Sequence, residues 1–179
     1  MEVFEAIQTR RSIRSYLPDE VPEEKLARIL EAARLAPSAA NRQPWHFVVV
    51  RDAQKRKRLS EGGIFAGFLH ESPVVIVGCG NKWASPKWYV VDTTIAMQNM
   101  VIAATGEGLG TCWIGSFTEK QVKDLLEIPS GFTVVALLAV GYPREEKGLP
   151  SKTVRLIKAR KKLGEIVSVE KFGNHYVSG

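Results

Sequence analysis

The stretch VVDTTIAMQNMVIAATGEGLGTCWIG, residues 90–115, decides the fold. Between Val91 and Ala104 the apolar residues, Ile95, Met97, Val101 and Ile102 among them, are spread around most of a helical circumference. Such a helix is packed on several sides and belongs in the middle of a domain. Gly106, Gly108 and Gly110 follow, and Thr111 to Ile114 reads as a short strand. The glycine triplet invites comparison with a dinucleotide-binding loop. That fingerprint, however, needs a strand before it and a helix after it, the reverse of the order here. The glycines read instead as a helix C-terminus and a tight turn into a strand, and a Rossmann domain is not indicated.

Outward from this stretch, the chain alternates between the two periodicities. Pro73 to Val77 is a β-branched run without polar alternation, a strand that needs cover on both faces. Trp45 opens a second strand with HFVVV, and Thr133 to Val140 supplies another after a helix from Glu119 to Leu126. Near the start, Val3, Phe4 and Ile7 suggest a short helix running to about Thr9. A clearer helix has Pro22 at its first position, Glu23 and Glu24 at its positive end, and Leu26, Ile29, Leu30 and Ala33 in one stripe before Pro37 stops it. Lys55 to Arg58 reads as the solvated face of a short helix. Strands alternating with helices, one helix central, imply an α+β domain of three layers, a sheet flanked by helices on both faces.

With 179 residues, 45% hydrophobic and 25% charged, the chain suits one folded domain, and neither a disordered nor a fibrous reading has support. The division expected is a core over residues 1–143 and a basic C-terminal tail over 144–179, in which Leu163, Ile166 and Val167 are apolar enough to dock. The longest apolar run, Phe132 to Val140 with Thr133 its polar residue, is far short of the ~20 residues that span a bilayer. Acidic residues interrupt the N-terminal MEVFEAIQTRR, unlike a secretory signal, so the expected location is the cytoplasm, without membrane contact. Cys79 and Cys112 each lie in an apolar segment, as buried reduced thiols do.

Lys and Arg outnumber Asp and Glu 25 to 19, a net charge of +6 that suits nucleic acid, a membrane surface or a small anion. Nucleic-acid binding would interleave aromatic and basic residues, whereas Trp45, Trp83, Trp88 and Trp113 lie away from the Arg and Lys runs, so no nucleic-acid partner is expected. His46, His70 and His175 show no metal-ligand spacing; no metal is expected, and His46 reads as a packed strand residue. Cys112 has no evident basic partner, no GxSxG occurs, and no carboxylate pair stands out for acid/base work.

Three segments remain. TRRSIR puts Arg10, Arg11, Ser12 and Arg14 at a helix end, where guanidinium forks and a hydroxyl suit a phosphate or an electron-rich ring oxygen. The same charges could instead satisfy helix C-terminal carbonyls, and spacing leaves both readings open. In LAPSAANRQPWHF, Pro37 and Pro44 bracket Ser38, Asn41, Arg42 and Gln43 in a rigid polar loop or an ordinary helix-to-strand turn. KARKK offers Lys158 and Arg160 on alternate positions, or a solvated tail.

RRSIR, then APSAANRQPW, the strand SPVVIV, the helix running through GEGLG into TCWIGSF, and the basic tail with RKKLGEIV resemble, in order and spacing along almost the whole chain, the nitroreductase family. The resemblance implies an α+β sandwich with a mostly antiparallel central sheet, an intertwined homodimer, and FMN at the subunit interface. It further implies that Arg10, Arg11 and Ser12 grip phosphate and ribityl, and that Arg14 sits near the flavin pyrimidine. Pro37, Ser38, Ala39, Asn41 and Gln43 would reach FMN from the second subunit. Ile114, Gly115 and Ser116 would lie beside flavin N5, and Lys158 and Arg160 on the phosphate, with the tail wrapping the partner. No side chain is expected to be catalytic, since the flavin carries the chemistry.

The activity implied is electron transfer from NADH or NADPH to a nitroaromatic, a quinone or another electron-poor small molecule, in two alternating half-reactions. A specialised reaction such as flavin fragmentation or reductive dehalogenation, or from another class a non-catalytic flavin- or nucleic-acid-binding role, stands as the alternative. The chain departs from better-known members in having only Asn81 to Tyr89 as room for a helical insertion. It also has Ile64 and Gly67 where some relatives place a polar Asn and Lys pair.

Overall fold

The computed structural model describes residues 1–63, 65–144 and 160–176. The chain divides into two compact units, Met1–Arg144 and Glu145–Gly179. In the first, α1 (Val3–Thr9), α2 (Glu23–Arg34), β1 (Trp45–Val50), α3 (Ala53–Glu61), β2 (Val74–Asn81), α4 (Tyr89–Gly106), β3 (Gly110–Ile114), α5 (Glu119–Leu126) and β4 (Phe132–Gly141) follow in order, with 3-10 turns at Ala39–Asn41 and Gly67–His70. The second contains the short α6 (Leu163–Ile166) and a Ser168–His175 bridge.

The four strands form one antiparallel sheet in the order β1-β2-β4-β3. Alternation divides it into two apolar faces. Val74, Ile76, Leu138 and Val140 pack with Leu26, Ile29 and Ala33 of α2 and Met97, Met100 and Val101 of α4. Val75, Val77, Leu137 and Ala139 pack with Leu59 of α3, Leu69 and Val122 of α5. The expected three layers, helices on both faces of a central antiparallel sheet, are thus present. A register shift opposite Gly78/Cys79 leaves Val135 as an extra residue in β4, which returns Val134 to the face of Cys79.

Particular residues explain particular ends. Gly108 takes φ +76° after α4, and the Leu109 N–H reaches back to the Ala104 carbonyl at 2.8 Å, the left-handed termination expected of the glycine-rich turn. Pro22 lies just outside α2, at φ −55° and ψ 142°, not at its first helical position; its carbonyl accepts the first N–H of the helix ladder from Leu26. Strand β2 is longer than the expected Pro73 to Val77, because Gly78 and Gly80 lie against Met97 and Tyr89 of α4, where a side chain would collide.

Two expectations about burial need correction. Ile95 is not in the core: with Val90 and Val91 it forms an exposed apolar face of α4, because sheet and α2 cover only part of that helix. His46 is exposed on the edge strand β1, touching Phe132 edge-on with ring centroids 5.9 Å apart. Among the described residues no helix is long and apolar enough to cross a membrane.

Candidate functional site

The basic segment is seated on the outer edge of β3. Ser12 bridges Thr111 in parallel, and the Ile13 N–H donates to the Thr111 carbonyl at 2.9 Å. Gly110 makes this approach possible, since a Cβ there would lie 2.5 Å from Ile13 Cγ1. The chain then turns over buried Tyr16, whose hydroxyl donates to the Ile13 carbonyl at 2.7 Å, and the Leu17 N–H reaches the Tyr142 carbonyl. Ile13 and Tyr16 point inward, while Ser12 and Arg14 are left exposed.

The three arginines differ. One Arg11 guanidinium nitrogen donates to the carbonyls of Gln8, Thr9 and Arg10 at 2.8, 3.1 and 2.9 Å, closing the C-terminal end of α1. The Arg10 and Arg14 side chains make no hydrogen bond or ion pair to the described residues; Arg14 is exposed and Arg10 half-buried. Both lower the pKa of the Cys112 thiol, as does a hydrogen bond from Ser12, yet burial outweighs them and the net shift is upward. Tyr16 is likewise pushed well above the ordinary phenol range, chiefly by burial, and Cys79 to about 11. These thiols are free and protonated at neutral pH.

Ile114, Gly115 and Ser116 continue from the same strand, three residues beyond Thr111 and hence roughly 10 Å along it. Their position is fixed by the turn after α3. A Cβ on Gly63 would meet the Ser116 carbonyl, and Thr118 N–H donates to the Gly62 carbonyl at 2.9 Å. Gly67 lies in the following 3-10 turn, and Ile64 lies outside the described residues.

The Ser38–Gln43 loop is a strained turn, with Ala40, Asn41 and Gln43 at φ 50°, 53° and 46°. Gln43 N–H donates to Ser38 Oγ at 2.9 Å, and the Gln43 side-chain amide donates to Asn41 Oδ1 at 3.0 Å. Ala39 N–H donates to Asp92 Oδ1 at 3.1 Å, and Asn81 N–H holds the Pro44 carbonyl at 2.7 Å. Pro37, Asn41 and Gln43 are exposed, and Ser38 and Ala39 half-buried.

The sheet order keeps this loop from the basic segment within one chain. The loop enters β1 at Trp45, paired with Gly80 and through it with Thr133, while Ser12 lies beside Thr111, paired with Val140. They stand at diagonal corners of a four-stranded sheet, roughly 30 Å apart by strand spacing and rise. Arg160, in the second unit, is exposed, and Lys158 lies outside the described residues.

A cleft of about 400 Å³ in the first unit is lined by Tyr16, Val21, Arg51, Arg56, His70 and Arg144 among others, and by none of the expected site residues. Asp92 and Gly63, which the sequence does not mark as site residues, act on backbone, while Gly110, legible only as part of a turn, makes room for the Ile13 side chain. Asp92 carried the most visible signal, an acid on an otherwise apolar helix face.

The fold and the exposed cationic edge define a nitroreductase-type α+β sandwich. The family model for the nitroreductase family matches residues 7–62 and 61–142, and the chain belongs to that family. It is 39% identical over 154 residues to an Archaeoglobus fulgidus protein provisionally named an NADH dehydrogenase/NAD(P)H nitroreductase, covering 82% of this chain and 88% of that one. An FMN-dependent nitroreductase from Clostridium difficile superposes with a TM-score of 0.73 at 32% identity, over 88% of this chain and 98% of the other. The FMN reductase (NAD(P)H) of Bacillus subtilis is 28% identical over 179 residues, 86% of this chain and 72% of its own.

Proposed function

We propose that the chain is an FMN-dependent oxidoreductase that takes electrons from NADH or NADPH and passes them, in two alternating half-reactions, to a nitroaromatic, a quinone or a similar electron-poor acceptor. The observation that carries this reading is the pair of arginines, half-buried Arg10 and exposed Arg14, whose side chains are unpaired among the described residues and which flank Ser12 on a sheet edge that continues into Gly115 and Ser116. The donor set fits the cofactor: forks and a hydroxyl for phosphate and ribityl, a cation for the ring oxygens, and backbone without a bulky side chain at Gly115 for the ring's edge. FMN, when bound, supplies the two-electron chemistry between donor and acceptor.

In this reading Arg10, Ser12 and Arg14 bind and orient, and Arg14 stabilises negative charge that develops on the ring. Arg11 joins the phosphate only by giving up helix-end carbonyls. Lys158 and Arg160 add to the phosphate site from the tail. The loop from Pro37 to Gln43 closes the site from a second subunit, a reading that the diagonal placement of the two segments supports.

A homodimer has further support. Val3, Phe4 and Ile7 of α1 and Val90, Val91 and Ile95 of α4 are exposed, an apolar surface on two helices that pack together. The outer edge of β1, WHFVVV, has no strand partner among the described residues, which invites addition from another chain. Two buried free thiols fit a reducing compartment such as the cytoplasm.

The visible spectrum of the purified protein, and its bleaching by each nicotinamide without oxygen, tests cofactor, activity and donor together. A flavin spectrum bleached by NADH or NADPH is expected. Colourless protein that binds no added FMN would overturn the reading.

A further inference from the structure

Asp92 is 3% exposed in the first turn of α4, among side chains that are otherwise apolar or hydroxyl-bearing. A buried carboxylate is costly unless donors surround it. Here the positive end of an 18-residue helix favours the charge, Oδ1 accepts the Ala39 N–H at 3.1 Å, and Oδ2 accepts the Ser85 hydroxyl at 3.4 Å. Ser85 is itself wholly buried, and its carbonyl accepts the N–H of Tyr89, so the acid and its second donor are both fixed to the start of the helix.

The Ala39 bond matters because of where it falls. Ala39 precedes Ala40 and Asn41, two L-residues in the left-handed region, and such a backbone persists only when its surroundings over-determine it. The remaining backbone hydrogen bonds inside the loop are its own: Asn41 N–H to the Ser38 carbonyl, Arg42 N–H to the Ala39 carbonyl, and Gln43 N–H to Ser38 Oγ. They set the loop's shape and say nothing of where it stands. Among the described residues, the Asp92 carboxylate is the hydrogen-bonding tie from the loop's interior to the helical body.

We propose that Asp92 is a positioning residue for the cofactor: it holds the Ser38–Gln43 loop, in its left-handed form, at the place where that loop meets FMN bound by the other subunit. The inference rests on the functional reading above. Asparagine at this position keeps an acceptor for the Ala39 N–H and an amide that the Ser85 hydroxyl can accept from, whereas alanine leaves a buried backbone donor without a partner.

The test is an FMN titration of the apoprotein, read beside its melting temperature and the visible circular dichroism of the bound flavin. Asp92→Ala is expected to raise the FMN Kd at least tenfold and to change the flavin dichroism, while Asp92→Asn restores both to within about threefold of wild type. A fall in melting temperature with Kd and dichroism unchanged would make Asp92 a stability residue and sink the proposal. Should Asp92→Ala fail to fold, Asp92→Glu decides, because it keeps the charge but displaces the acceptor by one methylene. A several-fold weaker Kd in Asp92→Glu against a near-normal Asp92→Asn supports the proposal, and equal values in the two overturn it. Wild-type protein that binds no FMN overturns both readings; wild-type protein that binds it no better than Asp92→Ala overturns this one alone.

Discussion

The basic segment and the Ser38–Gln43 loop are both exposed and polar, yet they are held by opposite means. Arg10 to Arg14 is laid along β3 by backbone pairing, with Ile13 and Tyr16 driven into the core beneath it. Burial fixes its position, and the Arg10 and Arg14 side chains are left unpaired among the described residues. The loop is held by its own side-chain hydrogen bonds and by one buried acid, with three residues in the left-handed region. A segment anchored by burial tolerates loss of its polar groups without moving. One held by polar ties and strain does not.

The largest effect follows from removing these unpaired charges. Arg10→Ala combined with Arg14→Ala deletes two charge-assisted interactions worth about 1.5–3 kcal/mol each, so FMN affinity should fall by about 100-fold or more. Because neither side chain pairs with the described residues, the urea midpoint of the apoprotein should stay where it is. A large loss of stability would show that the two regions are not held differently at all. Gly110→Ala attacks the same segment from below: its Cβ meets Ile13, and overpacking of this kind costs about 1–3 kcal/mol, to be read from denaturant unfolding. FMN affinity should drop with it, since Ile13 and the arginines share one stretch of backbone.

The sequence carried this contrast unevenly. The layers were legible because β-branched runs and the apolar stripe of α2 state their burial directly, and α4 announced itself as central. What misled was the part of α4 that one chain leaves bare: Ile95 reads as core by type and is exposed. The site segments were legible as chemistry, guanidiniums and short polar arms, whereas their anchors were not. Gly110 and Gly63 matter through contacts with residues about 100 and 50 positions away, and Asp92 through a backbone N–H 53 residues distant. Periodicity reports which face is buried and carries no information about such pairings.

Tyr16 and Cys112 beneath the basic segment, and Cys79 farther away on β2, all have their pKa values raised by burial, which sharpens the comparison through pH. For Cys79 the folded value is about 11 against an ordinary 9.0. Above the lower value the unfolded chain loses its proton while the folded chain keeps it, so the stabilisation is complete below about pH 9 and disappears as pH rises through about 11. Tyr16 and Cys112 act with the same sign. Urea midpoints should therefore fall on the alkaline side, and Cys79→Ser should weaken that fall; a flat profile from pH 8 to 11 would contradict it.

Arg11 separates the arginines within one segment. Its guanidinium closes the end of α1, so Arg11→Ala should cost roughly 0.3–1 kcal/mol of stability and weaken FMN less than threefold, against the larger losses at Arg10 and Arg14. A loss of affinity equal to theirs would mean that the phosphate recruits Arg11 away from the helix.

The smallest effect belongs to the strained loop. At Ala40, φ 50° places a Cβ where L-residues pay about 1–2 kcal/mol, and glycine removes that cost while adding roughly 0.5–1 kcal/mol of chain entropy to the unfolded state. Ala40→Gly should thus raise apoprotein stability by a few tenths of a kcal/mol up to about 1 kcal/mol, visible as a small rise in melting temperature. The same change lets the loop visit other conformations when FMN is absent, so the association rate for FMN should fall even as stability rises. A loop fixed by burial would show the first effect without the second, and the two measured together therefore test whether polar ties and strain, and not packing, hold this side of the site.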